Sequence, residues 1–328
     1  MSQIPVLDLS SPEFASRLRG ALADYGFFYI QNHGIPEDLQ TDLIRIAREF
    51  FRRSYDEKMK IEMKNGGRAW RGYFPPGGEL TSGRPDRKEG IYFGRELAFD
   101  HPAVLAKLPL HGANLWPADF PRLRELTLTY MEKMSELAQA ILSGVAVSLG
   151  LTPTYFKDRF SSEPTILFRI FNYQKHVWRD HEDEWGVREH TDYGFLTLLK
   201  QDESGGLQVK ARGGEWIEAP PMDGTFVVNI GDMLEVWTHG IYRATPHRVR
   251  NLGAGDRISL PFFFDPGWQT RLEPIEASLL SEGDLAVARA NPTARWDSMD
   301  LRRLPPSTTY GEFLFSKVSK VFPDLAKP

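Results

Sequence analysis

Between residues 164 and 265 the chain breaks into short β-branched and aromatic runs, each closed by Gly, Asp or Pro. The runs are 165–171, 195–199, 206–209, 225–228, 247–249 and 257–264. Segments this short, rich in Val, Ile, Leu and Phe, form strands rather than helices. About a hundred residues of them must cover their apolar faces against one another, as a sandwich or a barrel. Helical spacing lies outside this stretch. Leu126, Tyr130, Met134, Leu137, Ile141, Leu142 and Val145 predict a long helix over about 118–150. Further helices are expected from Ser10 and Ser11 to about Tyr25, over about 37–57, over 153–160, and in the tail over 310–321. Residues 4–9 and 26–30 read as strands. Residues 62–96, rich in Gly, Pro, Arg and Tyr, read as long loops with short strands, the kind of segment that often carries function.

Composition narrows the function by exclusion. A net charge of −4 with scattered basic residues gives no field for a polyanion, so nucleic acid is not expected as a partner. Cysteine is absent, which excludes disulfides, thiolate metal sites and a Cys nucleophile. The N-terminus has no basic segment followed by an apolar run, and no stretch approaches the ~18 apolar residues of a membrane span. The expectation is a cytoplasmic protein without a membrane partner.

Eight histidines are present, and two stand in a pattern that suits a metal. His190-Thr191-Asp192 sits at the start of an expected strand, where residues i and i+2 share a face. An imidazole and a carboxylate would then project together. His247, opening the run 247–249 near the end of the β region, is the candidate third ligand. Two histidines and a carboxylate make the facial triad of non-haem iron(II) oxygenases, leaving three metal positions open. Two of these suit a chelating co-substrate and one suits O₂. The rival cluster His176, His181, Glu182 and Asp183 lies in a polar stretch without strand framing and reads as a solvated loop. Ten residues after His247 comes Arg257-Ile258-Ser259, again at i and i+2. A guanidinium fork beside a hydroxyl is a receptor for a carboxylate.

The order His190-x-Asp192, His247, Arg257-x-Ser259 resembles the 2-oxoglutarate and iron(II)-dependent oxygenases, in their isopenicillin N synthase-like branch. The likeness extends to residues 4–9 and 25–35, to Gly206-Leu-Gln-Val209, to Asn229-Ile-Gly-Asp232 and to Thr245-Pro-His-Arg-Val249. It implies a mixed α and β fold with a double-stranded β-helix (jelly-roll) core, a helical N-terminal region and a C-terminal helix. The implied division is 1–117 for the N-terminal region, 118–160 for packing helices, 161–270 for the core and 271–328 for a C-terminal extension, all in one compact unit. It implies Fe(II) at His190, Asp192 and His247, with the far carboxylate of 2-oxoglutarate on Arg257 and Ser259. Tyr173 is implied as a further co-substrate contact, although Gln174 stands where the family often has proline. The implied reaction consumes O₂ and 2-oxoglutarate, with ascorbate as a possible aid, and hydroxylates a small molecule of secondary metabolism. Desaturation, ring closure and ethylene formation remain open, as do an oxidase that uses no 2-oxoglutarate, a non-catalytic binding protein and a zinc hydrolase. Asp192 argues against a halogenase, which needs that position free. Residues 73–83 and 84–93 are expected at the entrance, with Arg71, Tyr73, Arg84, Tyr92, Arg169 and Phe264 as candidate substrate contacts. A monomer or weak dimer is expected. His33, Asn229 and Asp232 read as structural, the last two as turn residues.

Overall fold

The computed structural model describes residues 3–81, 84–175, 185–251, 255–290, 305 and 307–322. The N-terminal part runs β1 (Val6–Asp8), α1 (Phe14–Asp24), β2 (Phe27–Gln31), α2 (Glu37–Phe51), α3 (Tyr55–Met59), β3 (Gly72–Phe74), β4 (Leu80–Thr81), β5 (Arg84–Pro85), β6 (Glu89–Gly94) and α4 (Pro102–Leu105). The long helix α5 (Pro121–Ser148) and the short α6 (Tyr155–Arg159) lead to β7 (Pro164–Tyr173), β8 (Val187–His190), β9 (Leu196–Gln201), β10 (Leu207–Lys210), β11 (Trp216–Glu218) and β12 (Phe226–Ile230). After α7 (Asp232–Trp237) come β13 (His247–Val249), β14 (Arg257–Gly267), α8 (Glu282–Ala290) and α9 (Tyr310–Val321).

Two expected helices differ in detail. The stretch 37–57 divides at residues 52–54, because Ser54 and Glu57 form a capping box that starts α3 afresh. The first helix begins at Phe14 rather than at the serines. Ser10 turns back to the Asp8 carboxylate, and Ser11 accepts the Glu13 amide just ahead of the helix.

The core is a jelly roll of two facing sheets. The larger has the order β1-β2-β12-β9-β14-β7-β6-β3, and the smaller the order β11-β10-β13-β8. Its central strands are antiparallel, so side chains alternate strictly between the two faces. Helices α2 and α5 pack on the outer face over β7, β9 and β14. There Tyr130 of α5 meets Phe168 of β7, which in turn meets Phe262 of β14. The inner face looks across to the small sheet. Between the sheets lies a cavity of about 380 Å³, lined in part by Leu314, Val318 and Val321 of α9. Among the described residues no helix is long and apolar enough to cross a membrane.

Candidate metal centre and co-substrate pocket

His190 and His247 are direct partners on the antiparallel strands β8 and β13, with ring centroids 4.2 Å apart. His190 ends its strand. Asp192 therefore lies in the loop beyond it rather than on the strand face, and the backbone bond from the Asp232 amide to the Asp192 carbonyl (2.8 Å) holds that loop. Asp192 Oδ1 is 3.7 Å from His190 Nε2 and 3.7 Å from His247 Nε2. The three donors fall within 4.8 Å of one another. That separation suits a single ion bound by all three.

The remaining polar atoms of the three side chains are engaged elsewhere. Nδ1 of His190 is 2.7 Å from the Arg188 carbonyl, and Nδ1 of His247 is 3.1 Å from the Thr245 carbonyl. Each Nδ1 must carry the proton to donate there, which leaves each Nε2 with its lone pair for a metal. Asp192 Oδ2 accepts from Thr197 Oγ1 (2.6 Å) and Asn229 Nδ2 (2.7 Å), leaving Oδ1 for the ion. Burial pushes the Asp192 carboxyl up, but the two imidazoles and these two hydrogen bonds outweigh it and hold it below the ordinary carboxylate value. Burial, and then the neighbouring His190, depress His247 to about 4. Near neutral pH the set offers a neutral imidazole at His247 and an anionic carboxylate. These donors, with no thiolate, fit iron(II), and all three side chains line the cavity.

Arg257 opens β14 and faces Tyr173 directly across the strand pair. Its guanidinium is fully buried. Nε donates to the Gly205 carbonyl (2.6 Å), Nη2 donates to Gln201 Oε1 (3.1 Å), and the Tyr173 ring lies 4.8 Å from Cζ. Nη1 is buried with no hydrogen-bond partner. A buried N–H without an acceptor costs about 1–3 kcal/mol, so an anionic ligand fits this position. Ser259, two residues on, lines the same cavity. The residues present therefore fit a dicarboxylate reaching from the metal to Arg257.

The cavity wall also holds Tyr92, Arg169 and Tyr173, but not Arg71, Tyr73 or Phe264. Arg71 donates to the carbonyls of Arg95, Leu110 and Gly112. The Tyr73 hydroxyl donates to Glu89. Phe264 is buried on the helix-covered face of β14. By strand alternation its neighbour Phe263 lines the cavity, in line with Arg257, Ser259, Pro261 and Asp265. The side chain of Arg84 and the cluster His176, His181, Glu182 and Asp183 lie outside the described residues.

Several site residues are missed or given another role from sequence. Asn229 is a strand residue of β12 that holds Asp192, not a turn residue. The signal for it is a lone amide inside an apolar strand, Phe226-Val-Val-Asn-Ile230. Thr197 is similar. Asp265 presses so closely on Gly194 that a Cβ there would lie 1.5 Å from its Oδ1, so only glycine fits in the turn after Asp192.

Comparison with known proteins agrees with this geometry. Residues 4–119 match the family described as non-haem dioxygenase in morphine synthesis N-terminal, and residues 164–266 match the 2OG-Fe(II) oxygenase superfamily. A Dictyostelium discoideum protein named a probable iron/ascorbate oxidoreductase is 42% identical over 99% of this chain and 96% of its own length. A homoarginine-6-hydroxylase of Glycine max is 35% identical over 99% of this chain and 98% of its own. The crystal structure of a full-length Neurospora crassa protein in complex with alpha-KG superposes with a TM-score of 0.77 at 26% identity, covering 96% of each chain. The chain belongs to the 2OG-Fe(II) oxygenase superfamily and is an oxidoreductase of the iron(II)- and 2-oxoglutarate-dependent dioxygenase class.

Proposed function

We propose that this protein hydroxylates a small molecule at one iron(II) held by His190, Asp192 and His247, with 2-oxoglutarate anchored by Arg257 and Ser259 and flanked by Tyr173. The observation that carries the reading is the convergence of two Nε2 atoms and Oδ1 within 4.8 Å on the wall of a cavity that also holds Arg257. When bound, iron(II) and 2-oxoglutarate supply O₂ activation and the oxidising equivalents for C–H oxidation, with succinate and CO₂ as products. The protein's own residues bind, orient and exclude water. Thr197 and Asn229 keep the Asp192 carboxylate turned toward the ion. The Arg188 and Thr245 carbonyls keep both imidazoles in the metal-binding tautomer. Arg257 fixes which way the dicarboxylate points. Leu314 and Val318 of α9, with Phe263, give the remaining space an apolar wall against solvent.

Arg169 and Tyr92 are the substrate contacts of this reading. The Arg169 guanidinium lies 3.4 Å from the centre of the Tyr92 ring, and a polar or acidic group of the substrate meets it. Hydroxylase relatives such as the homoarginine-6-hydroxylases support hydroxylation over desaturation or ring closure. The reading takes the protein as a cytoplasmic monomer or weak dimer acting on a small molecule, with ascorbate sustaining the iron(II) state.

The test needs no substrate. Iron(II) is added to metal-free protein without O₂, and 2-oxoglutarate is titrated while the visible charge-transfer absorption of the chelate is followed. A saturable band, absent in Asp192→Ala, is expected. Bound iron with no band at any 2-oxoglutarate concentration would replace this reading with an oxidase that uses no 2-oxoglutarate.

A further inference from the structure

We infer that Gln201 and Asp202, neighbours at the end of β9, are positioning residues that hold the Arg257 guanidinium ready for the far carboxylate of the co-substrate. This rests on Arg257 receiving that carboxylate, as proposed above.

The geometry around Arg257 is unusual for a buried cation. Among the described residues no carboxylate forms an ion pair with it. Its Nε and Nη2 are held instead by two neutral acceptors, the Gly205 carbonyl and Gln201 Oε1. Gln201 stands opposite Ser259 in the strand register, and its Nε2 donates to the Ala219 carbonyl (3.1 Å). That bond fixes the amide so that its oxygen, not its nitrogen, meets Arg257. A neutral acceptor orients the fork while leaving the positive charge uncancelled. A glutamate at 201 would hold the same fork but would compete with the ligand for its charge.

Asp202 fixes the backbone on both sides of this contact. Its Oδ2 accepts from the Ile258 amide (2.6 Å), next to Arg257, and from Arg48 Nη2 of α2 (2.9 Å). Its Oδ1 accepts from the Ser204 amide (3.0 Å), and its own amide donates to the Ile258 carbonyl (3.2 Å). One buried carboxylate thus ties the start of β14 to the turn that carries the Gly205 carbonyl. The next residue, Gly206, has a left-handed φ of +89°, and a Cβ there would lie 1.8 Å from the Arg250 carbonyl oxygen. The turn is therefore closed down against the neighbouring chain, with the Gly205 carbonyl on Arg257.

The experiment measures ligand binding to Mn(II)-loaded full-length protein by calorimetry, without turnover. Two probes are compared: 2-oxoglutarate, and 2-oxopentanoate, which has the same chelating end but a methyl group in place of the far carboxylate. Gln201→Glu is expected to weaken 2-oxoglutarate by more than about tenfold, as when a buried charge loses its free partner. Binding of 2-oxopentanoate is expected to stay within about twofold and the melting temperature to hold. Gln201→Leu and Asp202→Asn are expected to weaken 2-oxoglutarate by about three- to tenfold with the same selectivity. Any purely structural damage falls on both probes alike. Equal losses for both probes, or no loss for 2-oxoglutarate in Gln201→Glu, overturn the inference. Arg257→Leu separates the two levels. If it leaves 2-oxoglutarate binding unchanged, the co-substrate reading itself falls. If it weakens binding while Gln201→Glu does not, only the positioning role falls.

Discussion

Lys58 and Arg71 of the N-terminal flank and Arg257 and Arg169 of the cavity are buried cations treated in opposite ways, whereas Lys88, also on the cavity wall, is ion-paired with Glu79 and Asp86. On the flank, Lys58 Nζ is 2.6 Å from Glu89, whose carboxylate also accepts from Tyr73 and Asn172. Among the described residues no carboxylate forms an ion pair with Arg71, but three carbonyls take its protons. In the cavity, Arg257 keeps one nitrogen without an acceptor. Among the described residues, the hydrogen bonds of Arg169 are two long ones, at 3.4 and 3.5 Å, to backbone carbonyls, beside its place over the Tyr92 and Phe263 rings. A buried charge without a partner costs several kcal/mol. A fold bears that cost where a ligand supplies the missing partner. The difference teaches where to look for ligands: at the buried cations whose hydrogen bonds are incomplete, not at the buried cations as such.

The sharpest way to break the comparison is to remove one arginine from each region. Arg71→Leu leaves three buried carbonyls without donors, and on the order of 5 kcal/mol of stability should be lost. Its binding of 2-oxoglutarate should stay within about twofold. Arg169→Leu should hold wild-type stability, or gain about 1–2 kcal/mol, because it removes an uncompensated charge. Urea denaturation of both variants decides the matter. If Arg169→Leu loses as much as Arg71→Leu, the two regions are not different in kind.

A smaller effect separates the two faces of one strand. Phe264→Ala opens a hole under α2 and α5 and should cost about 3–4 kcal/mol. Phe263→Ala, half-buried on the cavity wall, should cost about 1 kcal/mol and instead enlarge the space beside the metal. Thermal melts of the pair suffice, and equal costs would mean that both rings serve the core alike.

These two phenylalanines also show what the sequence makes legible. Strand content and the order of the metal and carboxylate motifs are readable, because they rest on local alternation and on side-chain chemistry; alternation alone reaches only a sandwich or barrel, and the jelly-roll class comes from the family resemblance. Parity is readable too: counting by twos from Arg257 arrives at Phe263, not Phe264. Asn229 stands in an apolar strand two residues before Gly231, the N-cap of α7, and a buried amide there is a signal for a hydrogen-bonded role. Ser54 and Glu57 likewise announce the break between α2 and α3. The surroundings of Arg71 and Tyr73 are a different matter. Their partners at Glu89, Leu110 and Gly112 come together only through the folding of irregular segments, whose pairing has no period to read. The same holds for α9 over the cavity, since nothing in its sequence says which face of the core it covers.

The weakest effect at neutral pH tests the comparison on an anion. Asp265 lines the cavity buried, with hydrogen bonds from the Tyr310 hydroxyl and the Phe195 amide but, among the described residues, no cation paired to it. Burial raises its carboxyl to about 7; those two hydrogen bonds lower it, Asp192 raises it and Arg169 lowers it, in that order of size. The folded state thus holds a proton that the unfolded chain releases near pH 4. The stability contributed by that proton is complete below about pH 4 and is lost as pH rises through about 7. Asp265→Asn removes the titration while keeping one acceptor oxygen and nearly the same shape. At pH 7 its stability should lie within about 1 kcal/mol of wild type, the lost acceptor offsetting the lost charge. The slope is the diagnostic. In metal-free protein, wild-type stability minus variant stability should fall steadily from pH 4 to pH 7, measured by urea denaturation at each pH. A flat difference would mean that Asp265 ionises at an ordinary pH. The cavity would then compensate its buried anion as fully as the flank compensates Glu89.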